Sequence, residues 1–409
     1  MVWDGFFQWL ASLTLWDFIL IFWLFILIDL TRSLGKPLFL IIHDLYCSRK
    51  CRKTTLIFKP KVSIIIPAHN EEKSIVKSIE SAINADYPNK EIIVVDDGSK
   101  DKTAFLASLY ESNGAIKLVR RDYSSGSKAG ALNYGILFAS GDVLVTVDAD
   151  TLVEPDGISK LVNELVDPDV SAVSGNVRIL CGDSGKRNLL VRLQEYEYFL
   201  AFELGRRFSS IIGTMMIISG AFGAFRTQEM KALGQYDKDT ITEDFDLTLK
   251  LRKLRKKLIY NNKAISWTFA PDTLRSWRTQ RIRWTKGEAE TLWKHRNVFK
   301  IKGFDFTSVV STYDMLFSDV ILLVLRFAWL GSLFFIFSTN IIYVLIFSFI
   351  MYLIIESVGT GLAAFLSRDK GNLKYLIYVP IMVVVYRPYY AVVRLIAYFN
   401  WLSKKKTNW

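Results

Sequence analysis

Apolar residues in this 409-residue chain gather at its two ends, while the middle alternates between short apolar runs and polar segments. Residues 5 to 30 are almost wholly aliphatic and aromatic. So is the region from about 308 to 402, which is interrupted only near Ser338-Thr339-Asn340 and between Ser367 and Asn372. A bilayer-spanning helix needs roughly 20 apolar residues, whereas helices in soluble cores average about 11 to 12, so both ends read as membrane segments. The first stretch is too long and too poor in early positive charge for a cleaved signal peptide and is expected to stay as an anchor. Residues 318 to 337 and 341 to 366 predict two spans. Residues 374 to 402 contain Pro380, Arg387 and Pro388 and predict either one kinked span or an interfacial pair.

In the polar block from 60 to 300, period-2 or continuous apolar runs mark strands at Val62 to Pro67, Glu91 to Asp96, Ala115 to Val119, Val143 to Asp148, Val170 to Gly175 and Ile217 to Phe225. Helical patterns fill the intervals at Glu72 to Ile83, Lys102 to Ser112, Lys128 to Ala139 and Gly157 to Leu165. Strict alternation predicts an α/β domain with a parallel sheet covered on both faces. Ligands of such sheets sit outside the carboxyl ends of the strands. The expected division is an anchor with a basic juxtamembrane segment at 1–58, the α/β domain with interfacial helices at 59–300, and a transmembrane region at 301–409.

Charge sharpens the topology more than the fold. The net charge is +12, yet the basic residues cluster where a membrane protein uses them, so a nucleic-acid partner is not expected. Arg32, Lys36, Arg49, Lys50, Arg52 and Lys53 follow the first apolar stretch and Lys404 to Lys406 follow the last. The positive-inside rule then puts the central block in the cytoplasm of a multi-pass protein. Arg252 to Lys257 reads as a basic, solvated or membrane-facing run on a helix. Cys47, Cys51 and Cys181 form no disulfide framework, and with only three histidines a zinc site beside Cys47 and Cys51 is not expected. Asp314, Asp319, Arg326, Glu356, Arg387 and Arg394 lie in or near the membrane segments, where they either serve function or snorkel to the interface.

Chemistry-bearing residues fall at predicted strand ends and helix starts. The first strand runs through Pro67 into a polar tip with Asn70 and Glu71. The second delivers Asp96-Asp97-Gly98-Ser99, where glycine permits a tight turn and a carboxylate can accept from a base N–H or a ribose hydroxyl. Neither a phosphate-loop nor a dinucleotide glycine signature is present. Asp148-Ala149-Asp150 closes a third strand as a pair of hard oxygen ligands suited to Mg2+ or Mn2+. Lys128 stands at a helix start, where both the ammonium and the helix terminus favour anions. Thr242-Glu243-Asp244 opens a helix with Thr242 as N-cap, and Asp244 is a candidate general base oriented by Glu243 or Thr242. Gln280-x-x-Arg283-Trp284 lies on a helix rich in arginine and tryptophan, suited to clamping phosphate and stacking on sugar, or to anchoring at an interface.

In this order and between two membrane ends, the motifs closely resemble the membrane-embedded, processive family-2 glycosyltransferases, the synthases of hyaluronan, chitin, poly-N-acetylglucosamine and cellulose. The resemblance covers residues 60 to 300 and implies a GT-A (Rossmann-like) cytoplasmic domain inserted between N- and C-terminal transmembrane helices. It implies that Asp97 with Asp96 contacts the uridine, Lys128 the diphosphate, and Asp148 and Asp150 the diphosphate and metal. By the same resemblance Pro67, Asn70, Glu71 and Arg178 belong to the substrate site, Ser219-Gly220-Ala221 lies near the acceptor, and Asp244 is the base. Gln280, Arg283 and Trp284 would hold nucleotide and acceptor sugar. Gly175-Asn176-Val177-Arg178-Ile179, followed by Gln194-Glu195-Tyr196, looks more like the hyaluronan, chitin and poly-N-acetylglucosamine branch than cellulose synthase. The length leaves no room for an appended regulatory domain, and Trp409 resembles a hyaluronan-synthase tail without the rest of its motif.

The implied reaction is an inverting transfer of a GlcNAc-type sugar from a UDP-sugar to a β-linked polysaccharide that is exported as it grows. A membrane lipid environment and a small accessory membrane subunit are further partners the resemblance allows. One alternative is a non-processive transferase of the same fold that adds one sugar to a lipid acceptor. The other is a transport protein with a degenerate nucleotide domain, which the complete acidic set disfavours.

Overall fold

A computed structural model describes residues 2–48, 59–299, 304–337, 340–367 and 369–403. Arg49, Lys50, Cys51, Arg52, Lys53, Lys404 to Lys406 and Trp409 lie outside the described residues, as does the side chain of Asp319. The chain divides into two compact units: Lys53–Phe202, Ser209–Thr312 and Val393–Trp409 in one, and Met1–Arg52, Glu203–Phe208 and Tyr313–Val392 in the other.

The first unit is organised by an eight-stranded sheet. Its strands are β1 (Val62–Ala68), β2 (Lys90–Asp97), β3 (Lys117–Arg121), β4 (Val143–Val147), β5 (Thr151–Val153), β6 (Val170–Gly182), β7 (Phe222–Arg226) and β8 (Lys257–Ala270), in the order β3-β2-β1-β4-β7-β6-β8-β5. Every residue of β1 and β4 is buried, as their unbroken apolar runs require of strands covered on both faces. β3, β2, β1 and β4 are parallel, with Ala68 opposite Asp96 and Asp97 opposite Arg121. Their carboxyl ends therefore line up along one edge.

Beyond β4 the sheet departs from the all-parallel expectation. β7 runs antiparallel to both β4 and β6, and β5 runs antiparallel to β8. The expected strand at Ile217 to Phe225 is split: only Phe222–Arg226 enters the ladder. Ahead of it, the Ile218 N–H donates to Thr248 Oγ1 at 3.0 Å and the Ser219 N–H to Ser174 Oγ at 3.3 Å. The chain crosses the strand ends on this segment before turning back, so β7 enters reversed. β5 is too short to show a period, and the Asn261-Asn262-Lys263 interruption hides β8. The Arg252 to Lys257 run is solvated as expected at Lys253, Arg255 and Lys257, but it is not a helix face. The helix ends at Arg252, whose buried guanidinium donates to the Met215 carbonyl at 2.9 and 2.5 Å.

In the second unit the N-terminal anchor is a bent pair rather than one span. Helices Trp3–Ser12 and Leu15–Leu24 meet at 106°, and helical structure continues from Leu15 to Ser48. Among the described residues two helices, Ile341–Ser367 of 27 residues and Gly371–Leu402 of 32, are long and apolar enough to cross a membrane, and the bent pair makes a third if it counts as one span. The apolar helix Leu322–Ile336, where another span was expected, is shorter than that. The proline-containing segment resolves as a single run that winds tightly up to Tyr378 and loosely over Met382–Tyr386. Its charges are paired within the unit. Asp29 accepts from Arg326 and, at 2.6 Å, from Tyr352. Glu356 accepts from Arg387 at 2.7 and 2.5 Å, and Arg32 meets Asp314 at 3.0 Å. Asp29 was absent from the sequence candidates because one acid near a span end looks like any interfacial residue.

Gly135 sets how closely the helix Lys128–Ile136 sits on the sheet: a Cβ there would lie 2.7 Å from Val95 Cγ2 and 2.8 Å from Ile65 Cγ2. Gly135→Ala is expected to cost about 1–3 kcal/mol through overpacking, read as a lower thermal midpoint of the purified chain. An unchanged midpoint would show that the helix can lift off at no cost.

Candidate active site

Three parallel strands end in acids at the same edge, and three other elements bring groups to it. At β1, the tip after Pro67 is fixed by neighbours from β2. His69 Nδ1 lies 2.8 Å from the Asp97 carbonyl, the Asn70 N–H donates to Ser99 Oγ at 3.0 Å, and Asn70 Oδ1 accepts from the Lys100 N–H at 2.8 Å. Asn70 pays for this with φ +58°, a conformation asparagine tolerates better than most residues. At β2, Gly98 adopts φ +68° as the turn requires, and a Cβ on it would sit 2.6 Å from the Ser124 nitrogen. The Asp96 carboxylate caps that turn by accepting from the Ser99 N–H at 3.2 Å.

Asp97 is buried and its carboxylate is already engaged. It accepts from the Ser125 N–H at 2.8 Å and from the hydroxyls of Ser125 and Ser124 at 2.8 and 3.0 Å, with Arg121 Nε at 3.0 Å. Its visible work is to hold the Ser124–Ser125 loop that leads to Ser127, whose hydroxyl caps the Lys128 helix by accepting from the Gly130 N–H at 3.1 Å.

The centre of the site is Lys128. Its ammonium pairs with Asp148 and approaches Glu243 Oε1 at 3.5 Å. Burial alone would lower its pKa, but the Asp148 and Glu243 carboxylates outweigh that and hold it above the usual lysine range. Across from it, the Gly220 N–H donates to Asp244 Oδ2 at 3.4 Å. A Cβ on Gly220 would stand 3.2 Å from Lys128 Nζ, 3.5 Å from Asp244 Cβ and 3.6 Å from Glu243 Oε1. The crossing segment Ser219–Ala221 is thus the floor on which lysine, base candidate and neighbouring acid meet. Burial and the adjacent Asp244 push Glu243 up against the pull of Lys128. Burial, Asp148 and Glu71 push Asp150 up to about 7. Glu71 itself is raised by burial, with Asp148 adding to the effect.

Thr242 stands at the N-cap position of Glu243–Arg252, but its hydroxyl does not cap: it bonds Thr291 Oγ1 at 3.0 Å. That contact reaches the helix Leu274–Lys294, and a Cβ on Gly287 of that helix would lie 2.6 Å from Thr242 Cγ2. On the same helix Arg281, rather than Arg283, holds Trp284. Its guanidinium is 2% exposed, lies 4.5 Å from the Trp284 ring and donates to Glu197 Oε2 at 2.8 Å. Gln280 Oε1 is buried without a hydrogen bond. Arg178 lies 5.7 Å from the Trp267 ring, and Gln194 donates to the Pro271 carbonyl at 2.8 Å.

Sequence reasoning missed the acid two residues beyond Asp244. Asp246 is fully buried and accepts from His295 Nε2 at 2.8 Å, with Lys294 Nζ at 2.9 Å. Lys294 also reaches Asp237 and Asp239 at 2.6 Å each. The i, i+2 spacing points Asp246 away from Asp244 on a helix; that was the only signal available.

The carboxylates at 148 and 150 fit a divalent cation in chemistry. Both offer oxygen, and the lifted Asp150 marks two acids held together with only Lys128 to offset them. Among the described residues no group of three or more His, Cys, Asp or Glu is arranged to hold a metal, so a cation there would need ligands from its substrate.

The glycosyl transferase family 2 model matches residues 63–228. Over 265 residues the chain is 31% identical to a poly-beta-1,6-N-acetyl-D-glucosamine synthase of Staphylococcus epidermidis, covering 63% of this chain and 61% of that protein. A Staphylococcus aureus (strain COL) protein of the same description is 31% identical over 266 residues, covering 64% and 61%. The chain thus matches about three fifths of the length of these curated relatives. Among solved structures, the mannosyltransferase PcManGT from Pyrobaculum calidifontis, in complex with GDP-Man and Mn2+, superposes with a TM-score of 0.63 at 20% identity, over 93% of this chain and 98% of that one. That likeness is one of fold. Residues 63–228 thus match the family-2 glycosyl transferase model, and the sheet they help to build is a mixed one of GT-A type.

Proposed function

We propose that the protein transfers a GlcNAc-type sugar from a UDP-sugar to the end of a growing β-linked polysaccharide, works from the cytoplasmic face, and passes the polymer across the membrane. The observation that carries this reading is Lys128, a buried ammonium pairing with Asp148 and Glu243 beside Asp244. A diphosphate entering that site would exchange with carboxylates for the lysine. The similarity to poly-N-acetylglucosamine synthases supports the sugar and the polymer. The apolar helices Ile341–Ser367 and Gly371–Leu402 support a membrane setting.

In this reading Asp96 and Asp97 shape the nucleoside end, Asp97 through the Ser124–Ser125 loop. Asp244 takes the proton of the acceptor hydroxyl as that oxygen attacks the anomeric carbon opposite the departing UDP. Attack from the opposite face inverts the anomeric centre, which gives the β-linkage. The Gly220 N–H bond to Asp244 Oδ2 and the Phe245 N–H bond to Oδ1 at 2.8 Å fix the base. Gln280, Arg283 and Trp284 form the acceptor side, with Arg281 keeping the Trp284 ring in place. Asp148 and Asp150 would hold Mg2+ or Mn2+, whose charge would stabilise the leaving diphosphate. An accessory membrane subunit would pack in the membrane-spanning region.

Asp244→Asn should lower turnover by about 10²–10⁴-fold with UDP-GlcNAc binding retained, measured by radiolabel incorporation and by calorimetry. Full activity in that variant would remove Asp244 as base. Sizing the product made from UDP-GlcNAc should give a polymer; a single-sugar glycolipid would refute processive synthesis.

Chelation should abolish transfer and added Mn2+ restore it. Because a carboxyl binds a cation only after losing its proton, and Asp150 is pushed up to about 7, the Mn2+ concentration for half-activation should fall as pH rises from roughly 6 to 8. A half-activation concentration flat across that range would contradict the assignment of Asp150 as a ligand.

A further inference from the structure

Tyr236 is 2% exposed, and its hydroxyl has no hydrogen-bond partner among the described residues. A buried unsatisfied hydroxyl is a net cost that phenylalanine would avoid, so its retention needs a reason. The residue is held from two sides by bonds that leave the hydroxyl untouched. Its N–H donates to Asn133 Oδ1 at 3.0 Å, and Asn133 Nδ2 donates to its carbonyl at 2.7 Å. Asn133 belongs to the helix that begins at Lys128. On the other side, Lys250 of the helix that begins at Glu243 donates to the Gln235 carbonyl at 2.9 Å and pairs with Asp237. The backbone around Tyr236 is therefore tied to both helices whose first residues make the Lys128 cluster. Burial and the Glu243, Asp244 and Asp148 carboxylates keep the phenol protonated against the opposing pull of Lys128. It is an O–H donor without an acceptor.

We propose that Tyr236 is a positioning residue for sugar transfer, whose hydroxyl donates to the Glu243 carboxylate once Lys128 has moved onto the diphosphate of the donor. The inference rests on the function proposed above. In the structure Lys128 offsets Asp148 and Glu243 together. When a diphosphate takes the ammonium, Glu243 is left buried beside Asp244 with its cation gone, and two adjacent acids in that state share a proton. A proton resting on Asp244 would cancel its role as base. A phenol O–H donated to Glu243 keeps the charge on Glu243 stabilised and leaves Asp244 free to accept the acceptor's proton. No covalent bond changes; one hydrogen bond replaces an ion pair.

The test is Tyr236→Phe in the purified full chain, assayed with UDP-GlcNAc. The expected result is a thermal midpoint unchanged or raised, a KM within about twofold of the parent and a kcat lowered about tenfold, the scale of one hydrogen bond to a charged group. Unchanged kcat overturns the proposal. Because packing could also be disturbed, the variant is repeated in a Glu243→Gln background, where the donor has no anion to hold. There, Tyr236→Phe should add little further loss, while losses that simply multiply would mark Tyr236 as a packing residue and overturn the proposal. The parent chain and Asp244→Asn in the same assay separate the two levels: no sugar transfer from UDP-GlcNAc by the parent defeats the proposed function itself, whereas an active parent and an inactive Asp244→Asn beside a fully active Tyr236→Phe defeat only this inference.

Discussion

A single ammonium, that of Lys128, allows the acids of this site to exist side by side. Asp148, Asp150, Glu243 and Asp244 come from a strand end and a helix start, and burial disfavours charge on such groups. Burial already pushes Asp150 and Glu243 toward the protonated form, and Lys128 is the cation that opposes this at both. The protein puts one lysine in contact with two of them and shapes everything around it to fit. Gly220 has no side chain because a Cβ would press on the ammonium at 3.2 Å, and Gly135 lets the lysine's helix lie flat on β1 and β2. On the function proposed above such a cluster is an exchangeable arrangement: the cation that neutralises these acids is the one a diphosphate would claim.

A second charge centre carries the mechanical load. Asp246, fully buried, takes His295 and Lys294 from the far end of the Leu274–Lys294 helix, while Lys294 gathers Asp237 and Asp239 as well. Removing one partner of such a buried set leaves an uncompensated charge, which is far costlier than never having built it. The helix that starts with Glu243 and Asp244 is thereby tied to the helix that carries Gln280, Arg283 and Trp284. The Thr242–Thr291 bond and the close approach of Gly287 repeat that tie nearer the site. The residues proposed as base and as acceptor side are thus carried on two helices tied to each other.

How much of this the sequence disclosed follows from what period and motif can encode. Continuous apolar runs made β1, β2 and β4 legible, and the acids at their ends fell where a parallel edge predicts. Direction is not encoded in such runs, so the reversal of β7 was invisible, as were the three-residue β5 and the polar-interrupted β8. Motif spacing brought Lys128, Asp148, Gly220, Glu243 and Asp244 into the candidate set, and the structure gathers them. It could not tell which member of an Arg-rich helix would face inward. That residue is Arg281, because only its side chain meets Glu197 while lying over Trp284. Nor could it show that the Thr242 hydroxyl bonds across to another helix, since a capping threonine and a bridging one look alike in one dimension.

The membrane segments obey the same rule that orders the site. Asp29 and Glu356 are buried acids, and each is matched by an arginine, Arg326 and Arg387, with Tyr352 adding a second donor to Asp29. In hydrocarbon an unpaired carboxylate is prohibitive, so such residues persist where a partner is supplied from another helix. These pairs are closed, each acid being met by a dedicated guanidinium. At Lys128 the arrangement is open: one cation serves two acids, with Asp150 lifted and Asp244 close by. Closed pairs fix helices against one another, whereas an undersupplied cation leaves an acidic site ready to accept new positive charge and a lysine ready to be drawn away. That difference in stoichiometry, more than any difference in residue type, separates the charges that build this protein from those that equip it for transfer.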